Sequence, residues 1–301
     1  MTIRHLLNIA DFGQGELRQM LALSRVPIED LQRPIAGKGV ALIFEKASNR
    51  TRHSMEMAVA QLGGHPVYTR GEEIGLDVRE SVEDAAAILA GYHCVIAARV
   101  YAHETVARMA HSASVPVVNM LSDWSHPLQT LADLLTMEQQ CAPIGDLTVS
   151  WVGDYNNVAR SLAEGVLIFG GRMKICTPAK YAPDSVEIAR LKNLGGELSV
   201  GSDPEKLVAD ANVVHTDTWI SMGQEDESDV RRHDFASFQV TESLMSLAQE
   251  GANFMHCMPA HRDEEVTAEV FDGPRSMVIA QGHNRMHSAR GALAFLVKGR
   301  S

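Results

Sequence analysis

The sequence predicts an α/β fold with two parallel-sheet domains. Short apolar runs alternate with helix-period patterns along the chain, as parallel sheets covered by helices require. The runs number about ten, which is many for a single sheet. Polar residues gather directly after the runs, and open α/β sheets bind ligands beyond the carboxyl ends of their strands.

The first half offers the runs GVALIF (39–44), HPVYT (65–69), CVIAA (94–98) and VPVVN (115–119). The second half offers LTVSWVG (147–153), MKICT (173–177), ELSV (197–200), NVVHT (212–216), NFMHC (253–257) and SMVIA (276–280). Helical patterns lie between them, for example at 81–89, 127–138 and 203–209. The stretch QQCAPIGD (139–146) follows a helical pattern and precedes a fresh run, so the domain switch is placed there. A last helix, about 283–297, is free to dock on either domain.

The 301 residues are 45% hydrophobic and 22% charged, enough apolar material for a normal core. Lys and Arg total 27 against 38 Asp and Glu, a net charge of −11. That balance argues against general nucleic-acid binding and makes local arginine clusters stand out. No stretch reaches the ~18 apolar residues of a membrane helix. The N-terminus lacks the apolar run of a signal peptide. Cys94, Cys141, Cys176 and Cys257 are scattered, without a C-x-x-C pair. They read as reduced thiols of a cytosolic protein.

Five clusters follow the runs. FEKASNRTRHS (44–54) carries Ser48, a candidate helix N-cap, then Asn49, Arg50, Thr51 and Arg52. A helix N-terminus favours an anion, and guanidinium forks match phosphate oxygens. A capped helix with solvated arginines fits the same residues. Arg99 stands just after CVIAA. His126 and Gln129 of HPLQ share one helical face, with Pro127 suited to a first turn. VGDYNNVARS (152–161) lacks the G-x-G-x-x-G fingerprint, and its two asparagines suit a small polar ligand or a capped turn. The last group comprises TDTWISMGQE (216–225), HCMPAHR (256–262) and HNRMH (283–287). There Asp217 can bind an amine cation, while Cys257 has neither zinc spacing nor a protease signature.

In order, S-x-R-T-R, an arginine after a strand, H-P-x-Q, D-x-x-N-N, D-x-x-x-S-M-G, H-C-x-P and N-R-x-H resemble the aspartate/ornithine carbamoyltransferase family. The resemblance runs from about Arg4 to Val297. The S-M-G and H-C-x-P pieces point to the ornithine branch. It implies two doubly wound parallel-sheet domains. Residues 1–140, with the last helix 283–301 packing back on them, would bind carbamoyl phosphate, and residues 141–282 would bind ornithine. It implies carbamoyl transfer to the side-chain amine of L-ornithine, with citrulline and phosphate as products. Ser48, Asn49, Arg50, Thr51 and Arg52 would hold the phosphate. Thr51, Arg99 and His126 would polarise the carbonyl oxygen, and Gln129 would meet the carbamoyl nitrogen. Asn157, Asp217, Ser221 and Met222 would hold the amino-acid end of ornithine. Cys257, the Met258 carbonyl and Arg285 would line the reacting centre. The resemblance further implies arginine biosynthesis in the cytoplasm, a homotrimer or a multiple of trimers, and no metal or organic cofactor.

The match departs at several positions. Asn49 stands where the family often has Thr, Leu128 where Cys is common, Met258 where Leu is usual, and His283 where an acid is common. Gly75 stands where Gln or His usually reaches the neighbouring subunit's ligand. Asp84, Ala85, Ala86 and Ala87 replace D-T-A-R. These changes leave open a carbamoyltransferase for another amine, such as N-acylornithine or putrescine, and an inactive ligand-binding paralogue.

Overall fold

The computed structural model describes residues 3–220 and 225–298. The chain divides into two compact units, Met1–Leu135 with Asn284–Ser301, and Thr136–His283.

The first unit is built on a four-stranded parallel sheet: β1 (Gly39–Phe44), β2 (His65–Arg70), β3 (His93–Arg99) and β4 (Val117–Leu121), in the order β2-β1-β3-β4. Val40, Leu42 and Ile43 of β1 and Val95 through Ala98 of β3 are buried. Continuous apolar runs of this kind belong to strands covered on both faces. Ala41, Ile43, Ile96 and Ala98 pack with Val82 and Ala86 of the Val82–Tyr92 helix, and with Val106 and Met109 of the His103–Ser112 helix. The Asn49–Gln61 helix buries Met55, Ala58 and Val59.

The end of the Val278–Val297 helix belongs to this first unit. Arg290 donates to the carbonyls of Ser24 and Val26, at the end of the Gln14–Ser24 helix, and to Gln61 Oε1. A cation at a helix C-terminus is favoured by the exposed carbonyl dipoles. Gly291 permits the close approach, since a Cβ there would lie 2.1 Å from Ser24 Oγ.

The second unit carries a five-stranded parallel sheet: β5 (Thr148–Val152), β6 (Arg172–Cys176), β7 (Glu197–Gly201), β8 (Val213–Thr216) and β9 (Asn253–His256), in the order β7-β6-β5-β8-β9. Its core includes Val152, Cys176, Val214, Phe235, Phe254 and Phe271. The predicted run 276–280 is not a strand. Only Ser276 bridges to Phe254, and Val278 already begins the long helix. A short apolar run does not by its pattern distinguish a strand from a buried helix start.

Both strand orders reverse once. The reversal lies between β1 and β3 in the first sheet and between β5 and β8 in the second. At such points the connections leave in opposite directions, and the crevice beyond the carboxyl ends takes ligands. The segments after β1 and β3, and after β5 and β8, are the ones the sequence fills with polar residues.

Candidate active site

In the first unit β1 ends at Phe44, register partner of Arg99 at the end of β3. Ser48 caps the following helix: its Oγ accepts the Thr51 N–H at 3.3 Å and donates to Thr51 Oγ1 at 3.0 Å. Thr51 is 1% exposed. Its Oγ1 accepts from Arg285 Nη2 at 2.7 Å and from Arg99 Nη1 at 3.4 Å. Arg285 Nη1 also donates to Gln129 Oε1. Arg99, His126, Gln129 and Arg285 are all buried. Two guanidiniums thus converge on one hydroxyl at the N-terminus of a 13-residue helix, where free N–H groups and the helix dipole add positive potential.

Burial holds the His126 pKa well below its usual 6.5, reinforced by the charges of Arg285 and Arg99. At neutral pH the ring is therefore uncharged and offers one N–H donor. Asn49 is exposed and Arg50 half-buried on the first turn of the helix. Arg52 is directed elsewhere: its Nε bonds Glu56 at 2.8 Å, and its guanidinium stacks on the Tyr68 ring at 3.8 Å. The structure therefore joins Thr51, Arg99, Gln129 and Arg285 directly and leaves Arg52 with neighbours of its own.

In the second unit the site follows β5 and β8. Gly153 leaves β5 with φ +134°, and a Cβ there would lie 3.2 Å from Thr216 Oγ1. Asn156 caps the Asn157–Ile168 helix, its Oδ1 accepting from Val158 N–H and Ala159 N–H. The other end of that amide donates to Asp217 Oδ2 at 2.9 Å. Asp217 Oδ1 accepts from Thr218 N–H at 2.8 Å and from Cys257 Sγ at 3.0 Å. Asn157, the predicted ligand, is the first residue of the same helix and is half-buried. Ser221 and Met222 lie outside the described residues.

Asp154 pairs with buried Arg231 at 2.5 Å, and Arg231 Nε also holds the Trp219 carbonyl at 2.6 Å. Burial pushes Asp154 up to about 6; Arg231 opposes the rise and Asp217 adds to it. The turn after β9 is fixed by His256. Its Nδ1 accepts the Met258 N–H at 2.9 Å, and its Nε2 faces Glu265 Oε1 at 3.0 Å. Met258 sits at φ +59° before a cis bond to Pro259.

The ligand atoms of Asp217, His256 and Cys257 lie within 4.8 Å of one another, close enough for a metal. Both His256 nitrogens are already engaged, so coordination would first break the contacts that shape the turn. The second group of this kind, His261, Glu264 and Glu265, shares Glu265 with that network.

Sequence reasoning missed Asp133, whose Oδ1 accepts from Gln129 Nε2 at 2.7 Å. The signal was present, because the two residues are one turn apart on a helix. It also missed Asn156 as the partner of Asp217, and the Asp154–Arg231 pair. No spacing rule links residues that the fold alone brings together.

Fold and sites define a class: an α/β protein whose first sheet ends in buried guanidiniums at a helix start and whose second ends in a buried carboxylate. The chain belongs to the aspartate/ornithine carbamoyltransferase family. Residues 4–139 match the model of the carbamoyl-P binding domain, and residues 145–296 match that of the Asp/Orn binding domain. The chain is 44% identical over 305 residues to the ornithine carbamoyltransferase of Hyperthermus butylicus, covering 98% of this chain and 97% of the relative. It is 40% identical over 299 residues to that of Rhodopseudomonas palustris, covering 97% and 96%. The solved ornithine carbamoyltransferase of Pyrococcus furiosus superposes with a TM-score of 0.94 at 40% identity, over 99% of each chain.

Proposed function

We propose that this chain transfers the carbamoyl group of carbamoyl phosphate to the side-chain amine of L-ornithine, giving L-citrulline and phosphate. The observation that carries the reading is the cluster of Thr51, Arg99, Gln129 and Arg285 at the switch point of the first sheet. It stands in a chain that matches ornithine carbamoyltransferases nearly end to end.

The first unit takes carbamoyl phosphate. The first-turn N–H groups, with Ser48, Asn49, Arg50 and Thr51, receive the phosphate dianion. Arg52 supports the helix through Glu56 and Tyr68. The neutral amine attacks the carbonyl carbon, and charge develops on the carbonyl oxygen. The Thr51 hydroxyl, Arg99 and the neutral His126 ring supply donors there, each worth roughly 3–4 kcal/mol in a dry site. Gln129 accepts from the carbamoyl NH₂, and Arg285 neutralises the departing phosphate. The bond from carbon to phosphate oxygen breaks, and phosphate leaves with the amine's proton.

The second unit takes ornithine. Asp217 receives the α-ammonium, Asn157 the carboxylate, and Ser221 and Met222 complete the amino-acid end. Cys257 and the Met258 carbonyl serve the reacting groups. The reading extends to a homotrimer acting in arginine biosynthesis in the cytoplasm. The four cysteines are free thiols, in keeping with a reducing compartment. Among the described residues no helix is long and apolar enough to cross a membrane.

The test is a carbamoyl-transfer assay offering ornithine, N-acetylornithine, putrescine and aspartate. Citrulline from ornithine is expected, with the rate rising from pH 6 to 9 as the amine loses its proton. Product from another amine alone, or none from any, would overturn the reading.

A further inference from the structure

We propose that Asp133 sets the selectivity of the site for a carbamoyl group over its methyl isostere, by fixing which end of the Gln129 amide faces the ligand. The inference rests on the function proposed above and adds a positioning residue to it.

Gln129 and Asp133 lie one turn apart on the Pro127–Gln140 helix, and both are fully buried. Around Asp133 the helix buries Leu131, Ala132, Leu134 and Leu135. A polar group in such surroundings is costly without a hydrogen-bond partner. Asp133 Oδ1 takes the Gln129 Nε2 donor at 2.7 Å.

A glutamine amide has a donor end and an acceptor end of nearly the same shape, so its partners decide which way it points. Here two partners agree. The Asp133 oxygen accepts at Nε2, and Arg285, which can only donate, sits at Oε1. Turning the amide over would set N–H against guanidinium and carbonyl against carboxylate.

Gln129 therefore presents a carbonyl oxygen on the side of Arg285 and Thr51. That oxygen has two lone pairs, one for Arg285 and one for an N–H of the ligand. A carbamoyl NH₂ can donate to it. Acetyl phosphate has the same phosphate and carbonyl groups, but its methyl has nothing to donate. A site that hydrogen-bonds an NH rejects the analogue lacking it, because a buried acceptor is then left unmet.

The test measures binding of carbamoyl phosphate and of acetyl phosphate to the full chain by calorimetry. In Asp133→Leu, which removes the acceptor, the preference for carbamoyl phosphate should fall about tenfold, the worth of one buried hydrogen bond. Acetyl phosphate affinity should stay within about twofold, a shift too small for a lost hydrogen bond. A folded Asp133→Leu protein that keeps the wild-type preference overturns the proposal.

A pair swap decides the matter even if that variant does not fold. Gln129→Glu sets two acceptors face to face and should weaken carbamoyl phosphate binding about tenfold or more. Adding Asp133→Asn restores a donor–acceptor pair with its polarity reversed, and binding should recover about tenfold over Gln129→Glu alone. Absence of recovery in the double variant overturns the proposal. Failure of the wild type to bind carbamoyl phosphate at all would instead sink the functional reading.

Discussion

The switch points of the two sheets use the same backbone device and opposite charge. After β1, a capped helix start meets Arg99 and Arg285, and burial, together with their charges, keeps the His126 ring uncharged. After β5, another capped helix start meets Asp217, whose oxygens are held by an amide, a thiol and a main-chain N–H. None of those three donors is a cation. A helix N-terminus thus does not dictate the sign of what binds. The side chains around it do.

The sharpest way to break the comparison is to remove one charge from each side. Arg99→Met should lower kcat/KM for carbamoyl phosphate by roughly 10²–10³-fold, the loss typical of one donor at a developing oxyanion. Asp217→Asn should raise the KM for ornithine by about 10- to 100-fold through loss of a charged hydrogen bond. Carbamoyl phosphate affinity, measured without ornithine, should be unchanged in Asp217→Asn. If either variant disturbs both ligands equally, the division of charge between the units is wrong.

A second prediction concerns stability. Asp154 has a folded pKa of about 6, above its usual 3.8, because burial disfavours its charge. The folded state therefore binds this proton more tightly than the unfolded state does. Stability from the group is fully present below the unfolded pKa and is lost as pH rises through the folded one. The loss is about 3 kcal/mol at most. Melting temperatures across pH 4 to 7 should carry this slope in the wild type and lose it in Asp154→Asn. An identical slope in the variant would show that other groups set it.

The smallest effect is expected at Arg52. Its guanidinium is held by Glu56 and Tyr68 on a partly exposed face. Arg52→Gln should change carbamoyl phosphate affinity by less than about twofold, as exposed ion pairs contribute little. A loss as large as that of Arg99→Met would put Arg52 back in the cradle.

Much of this was legible in the sequence where one physical signal governed. Ser48, three residues before Thr51, reads as an N-cap, and it is one. Pro127 reads as a first-turn residue, and the helix begins there. Strands β1 and β3 are legible because nearly their whole length is buried, as in strands covered on both faces. The run at 276–280 misled because it spans a helix start: Met277 and Val278 are buried there, while Ile279 is exposed. Within the site, residue type pointed to a cluster of arginines, but not to which of them share a partner. Arg50, Arg52, Arg99 and Arg285 look alike in the sequence, and the Glu56 carboxylate and the Tyr68 ring on neighbouring β2 set Arg52 apart. Asp133 stayed hidden because acids on helices are ordinarily solvated, and nothing local shows that this face is buried.

Asn156 uses both ends of one amide, the oxygen to start a helix and the nitrogen to aim Asp217. The helix start and the placement of Asp217 therefore share a single rotor. A substitution at this position will register in the melting curve. Cys257 also touches Asp217 but caps no helix, so a change there leaves that helix start intact.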